Sequence, residues 1–169
     1  VLTGYYWVSD RCLVGKKSTA RESSLRSEKG KMADQVERFD SGRGQAETQV
    51  LKPDVIYLKV TGHLDKATGA FALGNVQKMA AAARGGRITV FCDWADMSGY
   101  DSEVRATFTQ WVASNRTTVK FHLLVASKIV SMGVSVANLV LGGVLIGYTN
   151  RTAFDAAMRT IKMGLGGVR

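Results

Sequence analysis

The chain predicts an α/β domain built on one mixed sheet of about five strands with crossover helices. Two observations carry that prediction. Two strand-like runs, 46–51 and 55–60, flank Lys52-Pro53-Asp54, where proline fixes φ and aspartate can bond locally, so the pair reads as an antiparallel hairpin. After it, helical spacing at 66–84, 102–115, 128–141 and 151–161 alternates with strand-like runs at 87–94, 119–126 and 144–148. A strand followed by a helix and another strand closes as a right-handed parallel crossover, which makes the sheet mixed.

Each element has a local reason. The strand at 55–60 leads into Thr61-Gly62-His63-Leu64-Asp65, and Asp65 is placed to cap the next helix. That helix sets Leu73, Val76, Ala80 and Ala83 on one face, is weakened by Gly69 and Gly74, and stops at Gly85-Gly86. In 87–94, Ile88, Val90 and Cys92 alternate with Thr89, Phe91 and Asp93; a short polar loop is expected next, and Val104, Phe108, Trp111 and Val112 then recur at helical spacing. Trp94, Trp111, Phe108 and Phe154 fall at core-facing positions. Residues 129–150 carry no charge, and Gly143 and Gly147 form a GxxxG pattern, but Ser131, Ser135 and Asn138 make a polar stripe and Gly142-Gly143 breaks the run. A core helix and a buried strand account for it better than a membrane span. Val130, Val134 and Leu141 are expected to leave apolar surface at the domain edge, suited to a lipid or partner contact.

The ends read differently from the middle. Residues 1–31 have no apolar period and hold seven of the basic residues and three of the acidic ones. With Glu28-Lys-Gly-Lys-Met32 resembling a ribosome-binding site and an initiator once back-translated, residues 1–31 are expected to be disordered, translated upstream sequence with the true start at Met32; a genuine basic arm is the rival reading. Residues 32–45 are expected to be a poorly ordered lead-in or an extra strand, 46–163 the domain, and 164–169 a tail.

Composition narrows the function. The 169 residues, 46% of them hydrophobic, suit one globular domain with a proper core. Cys12 and Cys92 are too few and too far apart for a disulfide framework or a cysteine metal site, and a reducing cytoplasm is the simplest setting. The net charge of +9 has no zinc finger, RNA-binding signature or basic helix with it, so no specific nucleic-acid binding is expected and the charge reads as solvated surface. Gly15-Lys16-Lys17-Ser18 lacks the earlier glycine and the preceding strand of a phosphate loop. Asp93, Asp96 and Asp101 read as strand-end and turn residues rather than as a metal site, and no cofactor is expected. His63 and His122 have no nucleophile or base at catalytic spacing, so structural roles are expected and an enzyme ranks last.

The residues at 87–105 carry a resemblance. A strand ending in Asp93, a loop, and Asp101-Ser102 at a helix start, set in the order hairpin, helix, strand, helix, strand, helix, strand, helix, resemble a STAS domain over about residues 46–161. With Gly62-His63-Leu64, Asp93-Trp94-Ala95-Asp96, Tyr100-Asp101 and Ser127-Lys128, the chain is most similar to the divergent SpoIIAA-like branch. The resemblance implies a non-enzymatic, cytoplasmic bacterial regulatory module of the anti-sigma factor antagonist type. Its partner would be a protein such as an anti-sigma factor or a sensor kinase, and Ser102 its phospho-acceptor. The implied docking surface is Asp96, Ser98, Tyr100, Asp101, Ser102, Glu103 and Arg105. Glu103 and Val104 stand where the family commonly carries Ser or Thr and Gly. Two alternatives stay open: Asp101 as an ordinary N-cap with Ser102 the first helical residue, and a lipid-binding or membrane-peripheral module using the apolar flank of helix 128–141.

Overall fold

The turn at Pro53-Asp54 closes the expected hairpin, joining β2 (Gly44–Lys52) to β3 (Val55–Leu64) in antiparallel register from Gly44↔Gly62 to Lys52↔Val55. The computed structural model describes residues 36–126, 132, 135, 138 and 141–164. Ahead of the hairpin the lead-in carries a further strand, β1 (Val36–Asp40), antiparallel to β2. Its turn is held by the Asp40 carboxylate, which accepts from the Gly42 N–H at 2.7 Å, while Gly42 takes the positive φ of 83° that favours glycine.

From β3 the sheet continues in parallel through β4 (Ile88–Trp94), β6 (Val119–Val125) and β7 (Leu145–Tyr148), in the order β1-β2-β3-β4-β6-β7. The segment expected as a loop after Trp94 is instead a strand, β5 (Met97–Tyr100), parallel to the end of β3. Length is the reason. β3 has ten residues and β4 pairs with it only as far as Lys59↔Asp93, which leaves the peptide groups of Gly62 to Leu64 to be paired. A turn at Ala95-Asp96 brings the chain back to them, the Gly62 N–H donates to the Asp96 carbonyl at 3.0 Å, and Met97 enters the core at 2% exposure.

Helices α1 (Lys66–Ala82) and α2 (Ser102–Ser114) pack into the larger core, with Leu58, Val60, Val76, Val90, Cys92 and Leu123 at its centre. Helix α3 (Arg151–Lys162) packs into a smaller one of Val55, Phe91, Leu124 and Phe154. Asp65 caps α1 as expected, accepting from the Thr68 N–H at 2.9 Å; bonds from Ser41 and Thr68 hold its carboxyl down at about 2. Of the expected helix 128–141, Met132, Ser135, Asn138 and Leu141 are described, and all four are helical. Among the described residues no helix is long and apolar enough to cross a membrane.

The two glycines of α1 differ in what surrounds them. A Cβ on Gly69 would lie 2.6 Å from Val104 Cγ1, whereas one on Gly74 would meet nothing within 4 Å. Gly69 thus sets the close approach of α2, and Val104, one of the two departures from the family pattern, occupies the space. Gly69→Ala is expected to lower stability by about 1–3 kcal/mol through overpacking that outweighs its gain in helix propensity. Gly74→Ala should raise stability by up to about 1 kcal/mol. Urea unfolding of the two variants checks the opposite signs.

Candidate functional site

Ser102 is the first residue of α2 and is exposed to solvent. Asp101 stands at the N-cap with extended backbone angles (φ −72°, ψ 138°), yet it makes no side-chain capping bond. Its carboxylate instead accepts from His63 Nε2 at 2.8 Å. The ordinary capping role open in the sequence is therefore not what the Asp101 side chain does. The cause is β5: pairing with β3 puts His63 opposite Gly99, and a Cβ on Gly99 would sit 3.3 Å from His63 Nδ1. Without that Cβ the imidazole lies against β5 and reaches Asp101.

The same pattern holds for the other acids of the expected docking surface. Glu103 accepts from Lys66, the first residue of α1, at 2.9 Å, and Asp96 lies 3.3 Å from Lys59 of β3. Three carboxylates on the strand–helix segment 96–103 thus face three basic side chains from β3 and the start of α1. All three pairs are exposed enough that each adds little to stability; what they fix is geometry. Ser98 and Arg105 are exposed and Tyr100 is half-buried beside them, so the structure gathers the expected surface residues at one end of the sheet.

Asp93 belongs elsewhere. Its bonds run to the α3 side of the sheet: it accepts from the Tyr57 hydroxyl at 2.8 Å and from both terminal nitrogens of Arg151, Nη1 to Oδ2 and Nη2 to Oδ1, the latter at 2.9 Å. Burial works to raise the Asp93 carboxyl, and the bonds from Arg151, Tyr57 and the Ala95 N–H outweigh it, holding it below the ordinary range. Burial and the Asp93 charge push the Tyr57 hydroxyl up. So Asp93, matched to the family pattern together with Ser102, anchors α3 by an ion pair whose acid is 2% exposed.

Other expected positions are settled by burial. Leu141 is 3% exposed and lines an apolar cavity of about 70 Å³ with Trp94, Tyr100, Phe108 and Leu123, so it does not present the apolar edge expected of it. Its position facing β6 and α2 is the reason. Val130 and Val134 lie outside the described residues, as do Ser127 and Lys128. Cys92 is fully buried, and burial pushes its thiol up. Among the described residues no three His, Cys, Asp or Glu side chains converge as metal ligands would.

Three arrangements escaped sequence reasoning: His63 with Asp101, Asp93 with Tyr57 and Arg151, and His122 stacked between Phe91 (4.6 Å) and Tyr148 (5.7 Å) with Nδ1 2.8 Å from the Tyr148 hydroxyl. Each joins residues at least 26 positions apart, and no local pattern marks such pairs.

No family model matches the chain, and no curated protein does. Solved structures do. An uncharacterised protein from the DUF3478 family with a SpoIIAA-like fold, from Shewanella loihica PV-4, is similar over 73% of this chain and 91% of its own at 10% identity, with a TM-score of 0.50. The anti-sigma factor antagonist SpoIIAA in its unphosphorylated form is similar over 67% and 97% at 12% identity, TM-score 0.49. The Bacillus cell fate determinant SpoIIAA in the phosphorylated form is similar over 66% and 98% at 14% identity, TM-score 0.48. The fold of this chain is SpoIIAA-like, as the order of its elements implied.

Proposed function

We propose that the protein is a non-enzymatic, cytoplasmic regulatory module that docks a protein partner through the segment from Asp96 to Arg105, with Ser102 as the phospho-acceptor that switches the docking. The observation that carries this reading is the state of the residues flanking Ser102. A phosphate there adds about −1.5 to −2 charges, and between two free carboxylates it would be repelled. Here the carboxylate of Asp101 is engaged by His63 and that of Glu103 by Lys66, while Ser102 itself is exposed at the amino end of α2, where the helix dipole favours negative charge. Glu103, the departure from the family pattern nearest to Ser102, is thereby matched by a cation from α1. The resemblance carried by Asp101-Ser102 supplies the partner class: an anti-sigma factor or a sensor kinase.

The test is recovery of partners from extract of the native cells on immobilised protein. Ser102→Asp is expected to lose at least tenfold of the principal partner relative to wild type and Ser102→Ala to retain it, the loss reflecting about 1.4 kcal/mol of binding energy. Identical partner profiles for all three proteins would remove the switch. Phosphopeptide mass spectrometry of the native protein would show whether Ser102 carries the group.

A further inference from the structure

The excess of positive over negative charge among the described residues lies at one end of the sheet, which holds seven of their fourteen lysines and arginines. Strands β3, β4, β6 and β7 run parallel, so they begin side by side, and α1, α2 and α3 return to finish at that same end. Backbone bonds stitch the turns there together: Thr89 N–H to the Asp54 carbonyl (2.8 Å), Ile88 N–H to Thr118 (2.8 Å) and Phe121 N–H to Val144 (3.0 Å). Three cations sit at strand ends, Lys52, Arg87 and Lys120, the first donating to the Ile161 carbonyl at 3.1 Å. Four more sit in or just after the last turns of the helices: Arg84, Arg116, Arg159 and Lys162, all exposed. Against these seven stand two carboxylates in the same turns and ends, Asp54 and Glu37, the second residue of β1.

The opposite end is built differently. There Lys59, His63, Lys66 and Arg151 each pair with an acid, leaving Arg43 and Arg105 outside the salt bridges, whereas none of the seven enters a salt bridge among the described residues. Helix dipoles account for a cation near a helix terminus. They do not account for Lys52 and Lys120, which stand on strands, or for Arg87, just ahead of β4, nor for the shortage of carboxylates around them.

We infer that this basic end docks the protein on an anionic membrane surface, leaving the Ser102 end turned away and open. Exposed cations next to an anionic bilayer each add to binding, and an apolar side chain among them can enter the headgroup layer. Met163, which follows Lys162, is 65% exposed. The turns Pro53-Asp54, Gly85-Gly86 and Gly142-Gly143 are short, so among the described residues no helix or strand projects from this end to enter a nucleic-acid groove, and no aromatic side chain is exposed for bases to stack on. This membrane contact is distinct from the apolar flank of helix 128–141 and does not depend on phosphorylation of Ser102.

The test uses the full chain and co-sedimentation with phosphatidylcholine vesicles containing roughly one third phosphatidylglycerol, with pure phosphatidylcholine as the neutral control. Wild type is expected to sediment with the first and not the second. Arg87→Glu should weaken partition roughly tenfold, while Arg43→Glu, the same charge change in the β1–β2 turn at the other end, should alter it less than about twofold. Circular dichroism melts establish that both variants fold. The inference is overturned if wild type fails to sediment, if the two reversals weaken binding equally, or if duplex DNA is bound more tightly than the vesicles at the same salt.

Discussion

Arg151→Met is expected to cost about 3 kcal/mol of unfolding free energy at neutral pH, read by urea denaturation. The loss does not come from the exposed half of the pair. Arg151 has 47% of its side chain in solvent, and in water its guanidinium would be fully hydrated; Asp93 is 2% exposed and would be left buried with only Tyr57 and the Ala95 N–H to hold its charge. The double variant Arg151→Met with Asp93→Leu, which removes the buried charge, should recover most of that stability. Single and double variants losing stability equally would mean that Arg151 acts by packing alone. The pH dependence follows from the direction of the Asp93 shift. Its folded value lies below its unfolded one, so its contribution is present above the unfolded carboxylate range near pH 4 and is lost as pH falls through the lower folded value.

Much of the fold was legible because each signal was local. The Pro53-Asp54 turn, the Asp65 cap and the alternation of apolar residues in 88–94 act over a few positions, and all three take the structure they imply. β5 was not legible for the converse reason. Met97-Ser-Gly-Tyr100 has the composition of a turn, and it becomes a strand only because the end of β3, more than thirty positions earlier, offers unpaired peptide groups. Tertiary pairing overrides weak local preference there. The candidate site shows the same division. Ser102 at a helix start could be read from the chain, but the imidazole that takes Asp101 away from capping depends on the β3–β5 register. Asp93 and Asp101, eight residues apart, both belong to the pattern that carries the resemblance, yet the turn at Ala95-Asp96 separates them, one bonded toward α3 and the other toward His63.

His122 gives the second large effect, a loss of up to about 3 kcal/mol of stability between pH 6.5 and pH 4 that the variant His122→Phe should lack. Burial, aided by the nearby Lys120 charge, pushes the imidazole down from 6.5 to about 4. The folded state therefore keeps His122 neutral over an interval in which the unfolded chain binds a proton. Stability contributed by this group is complete above pH 6.5 and drains away as pH falls toward 4. The surroundings explain why charging is resisted. The ring is 4% exposed and stacked between Phe91 and Tyr148; Nδ1 meets the Tyr148 hydroxyl, and Nε2 is buried with no hydrogen-bond partner among the described residues. A second proton would thus place a cation among aromatic rings with no carboxylate bonded to either nitrogen. Phenylalanine keeps the stack, removes the orphaned nitrogen and cannot titrate, so His122→Phe should match or exceed wild type at pH 7.5 and surpass it clearly at pH 4.5 in urea unfolding. The carboxylates of Asp65 and Asp93 begin to weaken the fold as pH nears the unfolded carboxylate range at about 4, and they do so in both proteins, so the difference between the two over this interval isolates the histidine. Equal slopes of stability against pH for wild type and His122→Phe would mean that another group carries the acid sensitivity.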